Sequence, residues 1–375
     1  MRLLRHCILS GSWRVGRAAA LVALIAAACT STAGTADTTE RPTSTPGVES
    51  GQATETTVGG APATSTDAPE GCVPDADVVS QHSRHRLASG GNEYEYLLYV
   101  PGSASALAPL VMNFHGLGGD GAGQAAYSGY SDLADAEGFV TVHPSGLVAQ
   151  SPDQASTWGA VRSWEGIGAD TSARDDMQFV SDLIDRIAAQ ACIDRSRVYA
   201  TGFSNGGYFS AYLVCELADR IAATFSVGGI SHPEECQPSR PVAMGAMHGT
   251  EDEVVPFDDG RESVLVKGRQ IDDRKAEELE AFFAEIIPDE LAEFAAAFDC
   301  TVVTESEFDA ATSLTRYTGC DGGVELRFYA IEGAGHIWPG SSWDKGGGKN
   351  GAGSGAGISA TADGWAFMSK YSLNQ

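Results

Sequence analysis

Basic side chains are scarce in this chain. Its 24 lysines and arginines face 50 aspartates and glutamates, for a net charge of -26 at pH 7. A surface of that sign repels phosphate backbones and anionic headgroups, which argues against nucleic acid and bare membrane surfaces as partners. Cys-x-x-Cys spacings and Cys/His clusters are missing, so the sequence calls for no metal. Long apolar runs are missing too. AAALVALIAAAC, at 18–29, is too short to span a bilayer comfortably. Residues 30–71 contain no aromatic side chain and are dominated by Thr, Ser, Ala, Gly and Pro. Such a segment cannot bury enough surface to offset chain entropy and reads as a linker.

What is present begins at the N-terminus. Arg2, Arg5, Arg14 and Arg17 precede the short apolar run, the pattern of an export signal over residues 1–29. The run ends in AAAC, which is similar to a bacterial lipobox with Cys29 as the lipidated residue. Ala26 stands where leucine is commoner, and ordinary cleavage near Ala28 is the alternative. The chain is thereby expected to be exported and to meet a membrane only through a lipid anchor. The six cysteines beyond this leader, Cys72, Cys192, Cys215, Cys236, Cys300 and Cys320, read as disulfides in an exported protein.

From Cys72 to the end, strand-like runs alternate with helical patterns. EYEYLLYVP (93–101), LVMNFHG (110–116), FVTVHP (139–144), RVYATG (197–202), AATFSVGG (222–229), VAMGAMHG (242–249) and ELRFYAIEG (325–333) are short apolar runs, most of them closed by glycine. MQFVSDLIDRIAAQ (177–190) places Phe179, Val180, Leu183, Ile184 and Ile187 on one helical face. GGYFSAYLVCEL (206–217) and ATADGWAFMSKY (360–371) also read as helices. This alternation predicts an α/β fold, a mostly parallel central sheet with helices on both faces. Residues 261–299, helix-prone and split by Pro288, fit either a helical cap or a peripheral excursion.

TGFSNGG (201–207) carries G-x-S-x-G at Gly202, Ser204 and Gly206, after a strand and before a helix. That context turns a short pattern into a nucleophile elbow. The serine sits on a strained turn, and glycine removes side chains that would clash with it. The following helix N-terminus favours developing negative charge. A serine hydroxyl needs a base, and the base an orienting acid, in the chain order Ser, acid, His. Among His232, His248 and His336, order and the glycine-rich loop GAGH favour His336. HGTEDEVVPF offers Glu251, Asp252 and Glu253 as acids. Oxyanion donors are expected from the backbone N–H groups of Asn205 and of Leu117, in the loop HGLGG; His115 is expected to support that loop.

HGLGG, RDDMQF, CIDRSRVYATGFSNGG, HGTEDEVVPF, GAGHIWPG and ISATADGWAFMSKY, in this order, resemble the secreted esterases of the polyhydroxybutyrate depolymerase and feruloyl/acetylxylan esterase group (carbohydrate esterase family 1). The chain also resembles esterase lipoproteins of actinobacteria. The resemblance spans residues 72–375. It implies an α/β-hydrolase fold and the triad Ser204–Asp252–His336. The leading reading is hydrolysis of carboxylic esters, which requires no cofactor, by a chain expected to be a monomer. SNGG rather than SAGG leans towards carbohydrate esters. A polyhydroxyalkanoate depolymerase, an acyltransferase on envelope lipids or glycans, and a non-catalytic surface binding protein are the competing readings. Trp158, Trp164, Trp338 and Trp343 are candidates for an aromatic rim that meets substrate. Cys300 and Cys320 flank a hairpin-type segment and form the leading disulfide, with Cys215–Cys236 and Cys72–Cys192 completing the set.

Overall fold

A computed structural model describes residues 79–104, 107–148, 164, 175–233, 235–258, 286–342, 344 and 357–374. The leader with Cys29, the linker, Cys72, Trp158, Trp343 and residues 261–285 lie outside the described residues.

Ten strands form one sheet. They are β1 (His82–Ser89), β2 (Asn92–Tyr99), β3 (Ala108–Phe114), β4 (Val140–Ser145), β5 (Ile193–Phe203), β6 (Ala223–Val227), β7 (Ala243–Gly249), β8 (Val302–Asp309), β9 (Thr312–Thr318) and β10 (Leu326–Ile331). Their order is β1-β2-β4-β3-β5-β6-β7-β10-β9-β8. The six strands from β4 to β10 in that order run parallel, and antiparallel hairpins close both ends. This is the α/β-hydrolase fold. The sequence shows why the centre is parallel. Every residue of β3, β4, β6 and β7 is buried, as strands covered on both faces must be.

Six helices are described: α1 (Gly121–Ser128), α2 (Tyr130–Glu137), α3 (Asp176–Ala191), α4 (Asn205–Leu217), α5 (Ile287–Ala297) and α6 (Ala360–Met368). Alternate side chains of β3 enter different cores. Val111 packs with the α2 and α6 residues Tyr130, Trp365 and Phe367. Leu110, Met112 and Phe114 pack with Phe179, Leu183 and Ile187 of α3. The helical stripe read from the sequence of α3 is the stripe that is buried. Asp175 caps that helix by accepting the Gln178 N–H at 2.7 Å. Pro288 does not split a helix. It sits in the first turn of α5, where its missing N–H costs no hydrogen bond. Leu291 and Phe294 carry α5 into the core, so this part of the 261–299 stretch is a packed helix.

The sheet ends differ from its centre. β1 alternates exposed and more buried positions, and β8 is exposed along nearly all its length. Val302 and Val303 are open to solvent there. Glu305, Glu307 and a bulge before Asp309 guard that edge against pairing with another chain. Cys300–Cys320 closes the base of the β8–β9 hairpin and Cys215–Cys236 ties the end of α4 to the loop after β6. Both pairings match the sequence expectation. Cys192 is also disulfide-bonded.

Replacing Cys300 and Cys320 by serine is expected to lower stability by about 3 kcal/mol, the loop-closure value for a cross-link of this span. Denaturant unfolding with and without reductant checks this, because reductant should have a smaller effect on the double variant than on the parent.

Candidate active site

Four loops at the carboxyl ends of β3, β5, β7 and β10 meet above the sheet. The first is the turn between β5 and α4. Ser204 adopts φ 54° and ψ -118°, a conformation that side-chain-bearing residues avoid. The strain is held by backbone bonds on both sides. Ser204 N–H donates to Val227 O at 2.8 Å, and Ser204 O accepts the N–H groups of Gly207 and Tyr208 at 2.8 and 3.0 Å. The flanking glycines let α4 start against the sheet. A Cβ on Gly202 would lie 2.3 Å from Gly206 O, and one on Gly206 would lie 2.2 Å from Phe114 O.

The second and third loops carry the acid and the histidine. Of the three acids read from the sequence, Glu251 and Glu253 are exposed, whereas Asp252 is completely buried. Asp252 Oδ1 accepts the Val254 and Val255 N–H groups at 2.8 Å each. Asp252 Oδ2 accepts Nδ1–H of His336 at 2.7 Å. Burial by itself would raise the Asp252 pKa. His336 and these donors outweigh it and hold the carboxyl below its ordinary value. The two loops are stitched together. Thr250 N–H donates to Ile331 O at 3.0 Å and Glu251 N–H to Ala334 O at 2.8 Å. Gly333 N–H donates to Thr250 Oγ1 at 2.9 Å.

The imidazole of His336 lies against the elbow. Its ring centroid is 4.7 Å from that of Phe203, the residue before the serine. A Cβ on Gly228 would come within 3.4 Å of His336 Cε1. No hydrogen bond joins Ser204 and His336 in this structure. His232 is engaged elsewhere, with its ring against Phe294 and its Nδ1 3.3 Å from Glu293.

The fourth loop is HGLGG. A Cβ on Gly116 would lie 3.4 Å from the Ser204 Cβ, so this loop touches the elbow. Neither the Leu117 N–H nor the Asn205 N–H is used by another hydrogen bond among the described residues. His115 holds the loop, as expected. Its Nδ1–H donates to Gly116 O at 2.7 Å and its Nε2 accepts the Gly146 N–H at 2.9 Å, which fixes a neutral tautomer.

The aromatic rim needs correction. Trp164 and Trp338 are fully buried and present no face to a ligand. The Trp164 N–H donates to Asn205 Oδ1 and its indole N–H to His115 O, at 2.9 and 3.1 Å. Trp338 anchors the histidine loop. Its backbone N–H donates to Tyr127 Oη at 2.7 Å and its indole N–H to Thr361 Oγ1 at 2.9 Å. Tryptophan in a loop gives no sequence signal for which way the ring turns. His248, passed over as the base in favour of His336, is nonetheless at the site, with its Nε2 3.3 Å from Asp252 Oδ2.

With this geometry in place, the comparison with known proteins is informative. The sequence model of the phospholipase/carboxylesterase family matches residues 99–317. This chain belongs to that family. The match includes the elbow and the acid loop and stops short of His336. A bifunctional acetylxylan esterase/xylanase of Neocallimastix patriciarum is 32% identical over 160 residues, 43% of this chain and 22% of that protein. Feruloyl esterase B of Piromyces equi is 30% identical over 234 residues, 61% of this chain and 39% of that protein. The chain thus spans less than half of either relative. Among solved structures, an acetyl xylan esterase from Aspergillus awamori aligns with a TM-score of 0.45 and 15% identity, over 68% of this chain and 94% of that one.

Gly206→Ala is expected to destabilise the fold by about 2 kcal/mol or more, because the clash is with backbone that cannot swing away. A urea midpoint equal to that of the parent would contradict the close packing of α4 on β3.

Proposed function

We propose that this family member is a serine hydrolase of carboxylic esters, acting on feruloyl or acetyl groups carried by polysaccharide. The observation that carries the reading is the meeting of a strained serine turn with a buried aspartate–histidine pair. Ser204 Oγ attacks the ester carbonyl as its proton passes to His336 Nε2. The Leu117 and Asn205 N–H groups receive the developing oxyanion. His336 then returns the proton to the leaving alcohol, and an acyl group remains on Ser204. Water, deprotonated by His336, releases the acid and frees the serine.

Asp252 orients His336 through Nδ1–H and balances the imidazolium charge. A buried carboxylate kept ionised suits this role, since a neutral acid would give the imidazolium no counter-charge. The polysaccharide ester is supported by the relatives named above and by SNGG at 204–207. Export and anchoring through Cys29 belong to the same proposal and rest on the lipobox-like leader.

Acid release from p-nitrophenyl acetate, methyl ferulate, acetylated xylan and a polyhydroxybutyrate oligomer tests it. Ser204→Ala should abolish turnover on every ester. Asp252→Asn should lower kcat by about 10⁴-fold, because the amide favours the wrong imidazole tautomer. Parent activity no greater than that of Ser204→Ala would refute the serine mechanism. A preference for the polyester would replace the substrate class.

A further inference from the structure

The acid of the site has two histidines on one oxygen, and the proposed mechanism uses only one. His248 is the second, at the end of β7 and 2% exposed. Its Nε2 lies 2.9 Å from Val255 O and 3.3 Å from Asp252 Oδ2. Val255 in turn donates its N–H to Asp252 Oδ1 at 2.8 Å. His248 thus braces the turn from β7 to the acid: its Nε2–H holds the Val255 carbonyl, the Val255 N–H holds Asp252, and the same nitrogen stands 3.3 Å from the carboxylate without a hydrogen bond to it.

The tautomer follows from the partners. Val255 O can only accept, so the proton is on Nε2. His248 Nδ1 is buried and has no hydrogen-bond partner. A proton there would be an unsatisfied buried donor, which is costly. His248 is therefore held neutral, and burial pushes its pKa in the same direction. The titratable groups acting on one another here are Asp252 and His248, from β7 and its loop, and His336, from the loop after β10.

We infer that His248 is a positioning residue for the acid: a permanently neutral imidazole that holds the Val255 carbonyl, locks the Asp252 turn and stands beside the carboxylate that His336 binds. The inference rests on the serine-hydrolase reading above. Its chemical content is specific. Its Nε2–H, 3.3 Å from Asp252 Oδ2, sets the positive end of a dipole beside the carboxylate without adding a cation. Removing it leaves a more basic carboxylate, which holds the protonated His336 more tightly. The acid limb of the kcat/KM profile should then move to higher pH.

The test compares the parent chain with His248→Phe and His248→Gln. Phenylalanine keeps a ring and loses the donor, whereas the glutamine amide can reach the Nε2 position. Expected for His248→Phe are a kcat about tenfold lower, a KM within about twofold and an acid limb displaced upwards, on the scale of one lost buried hydrogen bond. His248→Gln should recover most of both effects. An unshifted profile in a folded His248→Phe variant, or glutamine behaving as phenylalanine does, overturns the inference. Should His248→Phe fail to fold, ¹⁵N-histidine spectra of the parent decide. His248 must show a proton on Nε2 and no titration between about pH 5 and 8; a titrating His248, or a proton on Nδ1, overturns it. Ser204→Ala separates the two levels. If that variant retains parent activity, the serine mechanism itself has failed. If it is inactive while His248→Phe matches the parent, only the role of His248 has.

Discussion

Everything at this site depends on how closely α4 approaches β3. The first turn of α4 brings Gly206 so near the Phe114 carbonyl that no side chain fits between them. That approach fixes three things at once. It forces Ser204 into its left-handed turn. It sets the Asn205 N–H at a helix start, where backbone dipoles favour negative charge. It also brings the loop after β3 against the serine, since Phe114 is followed directly by His115 and Gly116. The proposed oxyanion donors and nucleophile are thus placed by one packing contact rather than by two loops that must find each other.

The second constraint is the burial of Asp252. A carboxylate taken fully out of water is costly unless its lone pairs are filled. Three donors fill them here, two backbone N–H groups and His336, and His248 Nε2 stands 3.3 Å away. The cost explains the local sequence. A turn that must supply two amides to its own aspartate has little freedom, and it needs a fixed support, which His248 and the Val255 carbonyl provide. The same requirement ties the acid loop to the histidine loop through Thr250 and Glu251. Strand order makes this possible, because β7 and β10 are neighbours and their loops leave the sheet side by side.

Much of this was legible in the sequence because it depends on local rules. Fully buried parallel strands read as continuous apolar runs, and the elbow glycines are needed by backbone geometry alone. The choice of Asp252 over Glu251 and Glu253 was not local. It depends on which side chain turns inward, and the three adjacent acids give no periodic signal. β1 was missed for a related reason. HSRHRLAS alternates exposed charged and half-buried positions on an edge, so it lacks the apolar run that marks the central strands. The tryptophans failed in the opposite sense. Trp164 and Trp338 lie outside the strands and helices yet fill the core, because an indole can satisfy its N–H against a buried carbonyl or hydroxyl and still bury its rings.

Rigidity is supplied by different means at the two ends of the molecule. At the β8 edge few side chains are buried, and hydrophobic packing alone would hold the hairpin weakly. A covalent tie at Cys300–Cys320 compensates there. No disulfide among the described residues crosses the site. Its loops are held instead by backbone hydrogen bonds and by buried polar anchors: Tyr127 and Thr361 on Trp338, Gly146 on His115, and Val255 on His248. The Trp338 anchor continues through Thr361 Oγ1, which donates to Ser128 O at 2.5 Å and so joins α1, α6 and the histidine loop. Such bonds fix position without a cross-link between the loops, which leaves Ser204 and His336 the small adjustment that the proposed mechanism requires. A disulfide between these loops would add stability and remove that last adjustment, which is a physical reason for the cysteines to stand elsewhere.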